Sequence, residues 1–123
     1  MLAAGLLIFL SSLAHSFLGW PEIRPGLVAA GLPDDLVGAL AVGWHFGGVA
    51  MAALAIIVLL AWRRARRGDA AGLEAVGVVA AAYIVFGAAA FVLRSFAPFF
   101  LVFIAPGVAL AACAWGGGRR GRA

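Results

Sequence analysis

The chain has 123 residues, of which 66% are hydrophobic and 11% are charged. Soluble domains contain roughly half apolar residues, so this composition excludes an ordinary soluble protein and favours a protein that resides in a lipid bilayer. The formal net charge is +4, and all nine basic residues are arginine. Seven of them form two short tracts that directly follow apolar runs. Such tracts are typical of helix ends at a membrane surface and argue against a nucleic-acid partner.

Four apolar runs lie along the sequence, and each is long enough to cross a membrane as a helix. They predict spans at residues 2–19, 36–62, 73–93 and 98–115. Crossing ~30 Å of hydrocarbon takes about 20 residues, because a helix rises ~1.5 Å per residue. The sequence therefore predicts a single all-α domain over residues 1–123, an antiparallel four-helix transmembrane bundle with the lipid bilayer around it.

The arginine tracts also predict the orientation of the chain. One tract lies in the loop at residues 63–72 and the other in the tail after Trp115, whereas the opposite side carries only Arg24 and Arg94. Because arginine accumulates on the cytoplasmic side of membrane proteins, we expect both tracts and both termini there. The expected location is the inner membrane of a bacterium.

The first span contains His15 in the half that this topology places outside. Ser11 and Ser12 share its helix face, four and three residues before it, and Gly19 follows four residues later. The rest of the span is leucine, phenylalanine and alanine, so His15 lies on its small and polar face. An ionisable side chain at such a depth indicates a site or a structural hydrogen bond.

The second span contains the run Gly-Trp-His-Phe-Gly-Gly at residues 43–48. Gly43 and Gly47, four residues apart, form a face on which a neighbouring helix, a second copy of the chain or another membrane protein could pack closely. His45 lies almost opposite that face, on a stripe with the small residues Gly38, Ala41, Gly48 and Ala52. We expect the imidazole to stand in a shallow trough with space beside it.

The two histidines lie at similar depths, each about 5–6 Å from the midpoint of its span at ~1.5 Å per residue. Antiparallel neighbours would bring both imidazoles into one outward-facing pocket. Most other polar side chains outside the arginine tracts collect in the same half of the bundle. The residues predicted to bind a ligand or cofactor are His15, His45, Trp44, Ser11, Ser12, Tyr83, Arg94 and Glu22.

Several kinds of chemistry suit two level histidines. A b-type haem takes axial imidazoles from facing helices, and a transition metal bound by His15 and His45 would need further ligands. Alternatively, the histidines only lock the helices of an accessory or structural subunit together. Binding of a small ligand or cofactor is the leading interpretation, the accessory subunit is second, and a small transporter or proton path is third.

Enzymatic activity is disfavoured by what the sequence lacks, and no catalytic residue is assigned. Without lysine there is no Schiff-base chemistry. Ser16 adjoins His15 in sequence, but neighbours on a helix point about 100° apart, so they do not form a nucleophile and base pair. The single Cys113 excludes an intramolecular disulfide.

Three segments of the sequence carry a resemblance to a known group. They are LAHSFLGWPEIRPGL at residues 13–27, VGWHFGG at 42–48 and FAPFFLVFIAPGVAL at 96–110. Together they resemble a family of uncharacterised small bacterial four-helix membrane proteins. That family has a His-Ser-x-Leu-Gly run in the first helix, a Trp-His pair in the second, and a proline before an aromatic-rich fourth.

The family's first motif usually continues with glutamate after Leu-Gly. Here Trp20 takes that position, and Glu22 is the nearest acid. The resemblance implies no particular activity, and it directs attention to His15 and His45.

Overall fold

A computed structural model describes the backbone of residues 1–120 and the side chains of residues 1–116. The described residues are almost entirely helical and contain no strand. The second arginine tract, Arg119, Arg120 and Arg122, lies outside the described side chains. The prediction of an all-α fold is confirmed for the part of the chain that is described.

Five α-helical segments follow one another along the chain. They are α1 Leu2–Ala14, α2 Trp20–Ala29, α3 Asp34–Ala65, α4 Leu73–Leu93 and α5 Leu101–Arg120. A π-helical turn, His15–Gly19, connects α1 directly to α2, and a 3-10 turn, Pro98–Phe100, leads into α5.

Among the described residues, four helices are long and apolar enough to cross a membrane, judged by length and composition. They are Leu2–Ala29, Asp34–Ala65, Leu73–Leu93 and Pro98–Gly116. The third has the bounds expected from the sequence, and the second is longer at both ends than the expected 36–62. The chain thus has the helices of a multi-pass membrane protein.

The first helix differs most from expectation, because it continues to Ala29 instead of ending at residue 19. Pro21 lacks an N–H, and in a regular helix its ring would clash with the carbonyl of Phe17. The π-helical turn ends two residues before this proline. We attribute the continuation to that wider turn, which changes the spacing between ring and carbonyl. Most of the expected outer loop at residues 20–35 is therefore helical.

The helices pack as two pairs, α1 with α3 and α4 with α5. In the second pair, glycines allow close approach: a Cβ at Gly87 would lie 2.7 Å from Ile104 Cγ1, and one at Gly107 would lie 2.8 Å from Ile84 Cγ1. A cluster of buried side chains, here called the joining core, connects the two pairs. It comprises Ile8, Ala55, Val58, Ala61, Val76, Val79, Ala80, Tyr83, Leu110, Ala111 and Ala114.

The joining core occupies only one section of each long helix. On α3 it lies between Ala55 and Ala61, and on α4 it ends at Tyr83. In the remaining sections, which contain the start of α3 and the end of α4, a cavity separates the two pairs. We call this part of the bundle the open end, and the candidate site lies there.

Candidate ligand-binding site

A cavity of about 970 Å³ lies at the open end, between the first pair of helices and the second. Small-molecule sites usually have ~300–1,000 Å³, so this volume is at the upper end of the range. The wall is mainly apolar and contains side chains from all four spans. The size and lining of the cavity suit a small molecule that is itself largely apolar.

Six of the eight residues predicted to bind a ligand line this cavity. They are Ser11, His15, Glu22, Trp44, Tyr83 and Arg94. Ser12 is absent from the lining, since it is buried and donates its hydroxyl to the Phe9 carbonyl at 2.6 Å. His45 is absent as well.

His15 and Trp44 form a reciprocal pair that joins the first span to the second. Imidazole Nε2 of His15 lies 3.1 Å from the Trp44 carbonyl, and indole Nε1 of Trp44 donates to the His15 carbonyl at 2.7 Å. The two rings are stacked, with centroids 4.2 Å apart and planes 5° from parallel. Each side chain thus bonds the backbone of the other helix while its ring packs on the other ring.

Glycine provides the space that this pair needs on both helices. A Cβ at Gly19 would lie 2.9 Å from Cζ2 of the Trp44 indole, so a larger residue there would displace the ring. A Cβ at Gly47 would lie 3.3 Å from Nε2 of His15. The π-helical turn begins at His15 itself, and such turns are frequent at functional sites. Glycine placement and the wide turn together position the pair.

The hydrogen bond to Trp44 also determines the tautomer of His15. A backbone carbonyl only accepts, so Nε2 must carry a proton, and the neutral ring then has its lone pair on Nδ1. Nδ1 has no hydrogen-bond partner among the described residues, so in a neutral His15 ring this nitrogen remains able to accept a hydrogen bond.

His45 takes a different position from the one expected. It is exposed on the surface of the bundle, and its nearest ring is that of Trp20, with centroids 6.2 Å apart. Adjacent residues on a helix point about 100° apart, so the turn that directs Trp44 toward His15 directs His45 elsewhere. Contrary to the expectation of one shared pocket, the cavity contains His15 with Trp44 instead of His45.

The glycines near His45 also have different roles from those expected. Gly48, placed on the open stripe beside His45, is buried against the first span, where a Cβ would meet the Ser16 hydroxyl. Among the described atoms outside its own helix turn, none lies within 4 Å of a Cβ at Gly43. The closely packed face is therefore formed by Gly47 and Gly48. Of the expected Gly43/Gly47 face, only Gly43 is open to a partner.

The arrangement does not fit a haem held by His15 and His45. His45 does not line the cavity that contains His15, and Nε2 of His15 is bonded to a carbonyl. Within the described residues, no group of three histidine, cysteine, aspartate or glutamate side chains could hold a metal ion.

Tyr83 carries the most informative polar atom of the cavity. Only 6% of the residue is exposed, and its ring belongs to the joining core, so it forms the floor of the cavity. The hydroxyl has no hydrogen-bond partner among the described residues. Buried hydroxyls are normally paired, and leaving one unpaired costs about 1–3 kcal/mol.

Two exposed charges of opposite sign line the cavity, Glu22 from α2 and Arg94 at the end of α4. Arg94 is followed by a strained turn, in which Ser95 and Phe96 have φ angles of 54° and 63°. Positive φ is uncommon for residues other than glycine, and an aromatic residue rarely adopts it. Phe96 is retained there by a 2.7 Å hydrogen bond to the Phe91 carbonyl and by edge-to-face packing on the Phe91 ring.

The aromatic part of the wall was not predicted from the sequence. Four phenylalanines line the cavity beside Tyr83: Phe86, Phe99, Phe100 and Phe103. Phe103 packs against both Tyr83 and Phe86, with ring centroids 6.2 and 5.0 Å apart. The concentration of phenylalanine at residues 96–103 is the sequence signal that could have indicated this wall.

Comparison with known proteins gives no relative for this chain. No protein-family model, curated protein or solved structure matches it. The resemblance to the four-helix membrane family therefore stays a prediction, and the site is interpreted from its own geometry.

Replacing Trp44 with phenylalanine should destabilise the protein, because the His15 carbonyl loses its indole donor. We expect a loss of about 1–3 kcal/mol in the free energy of unfolding, measured by denaturant titration in detergent micelles. His15→Ala should have a similar effect. The double variant should lose less than the sum of the two, with a coupling of ~0.5–3 kcal/mol, because both changes remove one pair.

His45→Ala is the matched control for this cycle, since it removes an imidazole next to Trp44 that is exposed. It should change the free energy of unfolding by no more than ~0.5 kcal/mol. Strictly additive losses for His15 and Trp44, or an equal loss for His45→Ala, would contradict the reciprocal pair.

Proposed function

We propose that this chain is a multi-pass protein of the bacterial inner membrane that binds one small amphipathic molecule in the cavity at the open end. The molecule has an apolar body and carries a hydrogen-bond acceptor, such as a carbonyl or ether oxygen, on its buried part. The observations that carry this proposal are the apolar cavity of about 970 Å³ and, in its lining, Tyr83 with a buried hydroxyl that has no partner among the described residues.

Energetics favour a binding role for this hydroxyl over a packing role. An unpaired buried hydroxyl costs about 1–3 kcal/mol. Phenylalanine would fill the same space without this cost. An acceptor on a bound molecule removes this cost, so it contributes to affinity while the apolar wall contributes the remainder. The site is thus complementary to a ligand that carries one hydrogen-bond acceptor on its buried part.

The remaining polar groups favour one direction for the ligand. Glu22 and Arg94 are exposed, as expected of residues at the mouth, and they suit the polar or charged end of an amphipathic molecule. Nδ1 of His15 provides an acceptor for a hydroxyl or amine along the wall. The apolar body then lies among the phenylalanines between these polar positions.

The proposed topology is an antiparallel bundle with both termini in the cytoplasm and the open end outside. Contacts between α1 and α3 support the antiparallel part, because Gly5 lies against Leu59 whereas the later Gly19 lies against the earlier Trp44. The arginines at residues 63–67 support the cytoplasmic assignment of the loop between α3 and α4. The cavity then faces the outer half of the membrane.

A second candidate function is that of an accessory membrane subunit without a ligand. The reciprocal His15–Trp44 pair favours it, because this pair connects two helices whether or not the cavity is occupied. A partner protein would then dock on the exposed part of α3 around Gly43 and His45. The two functions differ in Tyr83, whose hydroxyl has a role only in the ligand-binding function.

Tyr83→Phe tests the binding proposal, with methyl nonyl ketone and the hydrocarbon undecane as a matched pair of probes. The ratio of ketone affinity to undecane affinity should be about three to ten times higher in the original protein than in the variant, which corresponds to ~0.5–1.5 kcal/mol for one hydrogen bond. The variant should lose this preference because phenylalanine has no donor for the carbonyl. Quenching of tryptophan fluorescence in detergent micelles can follow binding, because Trp44 lines the cavity.

Ser11→Ala is the control for this experiment, since it removes another hydroxyl from the wall and should retain the preference for the ketone. Without a probe, Tyr83→Phe should be at least as stable as the original protein, because the unpaired hydroxyl is gone. A variant that keeps the preference for the ketone, or that loses stability without a probe, would refute the role proposed for Tyr83.

The proposed topology predicts where a reporter at the C-terminus is active. Fused there, a reporter that works only in the cytoplasm should be active, and one that works only in the periplasm should be inactive. The same pair of reporters inserted between Gly31 and Leu32, in the connection before α3, should give the opposite result. Periplasmic activity at the C-terminus would invert the topology and place the cavity in the cytoplasmic half.

A further inference from the structure

A second, smaller cavity of about 200 Å³ lies away from the open end, between the last turns of α3 and the start of α4. We call it the Arg64 groove. Five small or apolar residues and one arginine line it: Ile57, Leu60, Ala61, Arg64, Gly72 and Ala75.

The shape of the groove follows from the meeting of two small residues. A Cβ at Gly72 would lie 2.8 Å from Cβ of Ala61, so α4 begins in direct contact with α3. Next to this contact, Ile57 and Leu60 extend outward and are 39% and 51% exposed. In a bilayer such an apolar depression is filled by hydrocarbon, because an empty space would lose dispersion contacts on all its walls.

The charge around the groove is mainly positive. Arg63, Arg64, Arg66 and Arg67 are all exposed, and Arg64 is the one that lines the groove. Arg66 lies over the Trp62 ring, 5.5 Å from its centroid. Of the two nearby acids, Asp69 accepts a 2.8 Å hydrogen bond from the Ala71 amide, and Glu74 is exposed in the first turn of α4. Four arginines against two acids leave a surplus of positive charge.

We propose that the Arg64 groove binds one anionic phospholipid, with an acyl chain along its apolar wall and the phosphate on the Arg64 guanidinium. A guanidinium forms two parallel hydrogen bonds with a phosphate, and basic positions between helices on the cytoplasmic side suit anionic headgroups. The groove runs from an apolar surface, which an acyl chain would cover, to the Arg64 guanidinium within two turns of α3. A free phosphate would contact Arg64 alone, whereas a phospholipid would contact both Arg64 and the apolar wall of the groove.

The lipid site shares no residue with the cavity at the open end. Its occupant also differs, since the larger cavity is proposed to hold a molecule with an acceptor near Tyr83. Either proposal can fail while the other holds.

Native mass spectrometry of the full chain, released from detergent with defined lipid added, tests the groove. Phosphatidylglycerol and phosphatidylcholine with identical chains serve as the probes. The original protein should bind the first phosphatidylglycerol at least several times more tightly than phosphatidylcholine. Arg64→Ala should weaken phosphatidylglycerol binding about tenfold, which one charged hydrogen-bonded contact of ~1.5 kcal/mol accounts for, and should abolish the preference.

Arg67→Ala is the matched control, because it removes the same charge from the same arginine tract at a position outside the groove. It should weaken binding less than twofold. Ala75→Phe should fill the groove and weaken binding of both lipids while retaining all four arginines. Equal losses for Arg64→Ala and Arg67→Ala would show attraction by the arginine cluster as a whole, and unchanged binding in Ala75→Phe would show that no chain lies in the groove. Either result overturns the proposal.

Discussion

Polar groups inside a bilayer must find partners within the protein, and the pairing of His15 with Trp44 is where this constraint shapes the structure most. Each side chain bonds a backbone carbonyl of the opposite helix, so neither bond survives if the two helices slide or rotate against each other. The pairing therefore fixes the register between the first and second spans. It also fixes one wall of the cavity, because both rings line it.

The rest of the bundle divides into a part that is packed and a part that is open. Small and branched side chains of the joining core connect the two pairs of helices, and the core ends at Tyr83. Beyond it the pairs are separated by the cavity, with phenylalanines on the side of α4 and α5 and the His15–Trp44 pair on the opposite side. Tyr83 is at the boundary, where it belongs to the core and also lines the cavity, and its buried hydroxyl has no partner among the described residues. The proposed ligand would provide that partner.

Much of this architecture could be predicted because it depends on composition along the chain. The four spans follow from runs of apolar residues, and six of the eight predicted site residues line the cavity. What could not be predicted depends on rotation about a helix axis. Trp44 and His45 are neighbours on the helix and point about 100° apart, so only one of them can face the first span. The apolar content of the sequence does not reveal which of the two it is. The π-helical turn at His15–Gly19 was missed for a similar reason, since Pro21 usually ends a helix and here follows a turn that allows it to continue.

His15 is bonded to the second span through Nε2, and its Nδ1 has no partner among the described residues. Solid-state ¹⁵N NMR of the protein in bilayers, with labelled histidine, measures this directly, because protonated and unprotonated ring nitrogens have separate chemical shifts. His45→Ala leaves His15 as the single histidine, so its signals need no further assignment. We predict that the neutral ring is protonated at Nε2 and unprotonated at Nδ1, and that Trp44→Phe changes both shifts by removing the stacked indole. A His15 ring protonated at Nδ1, or one that exchanges freely between the two tautomers, would show that Nε2 does not donate to the Trp44 carbonyl.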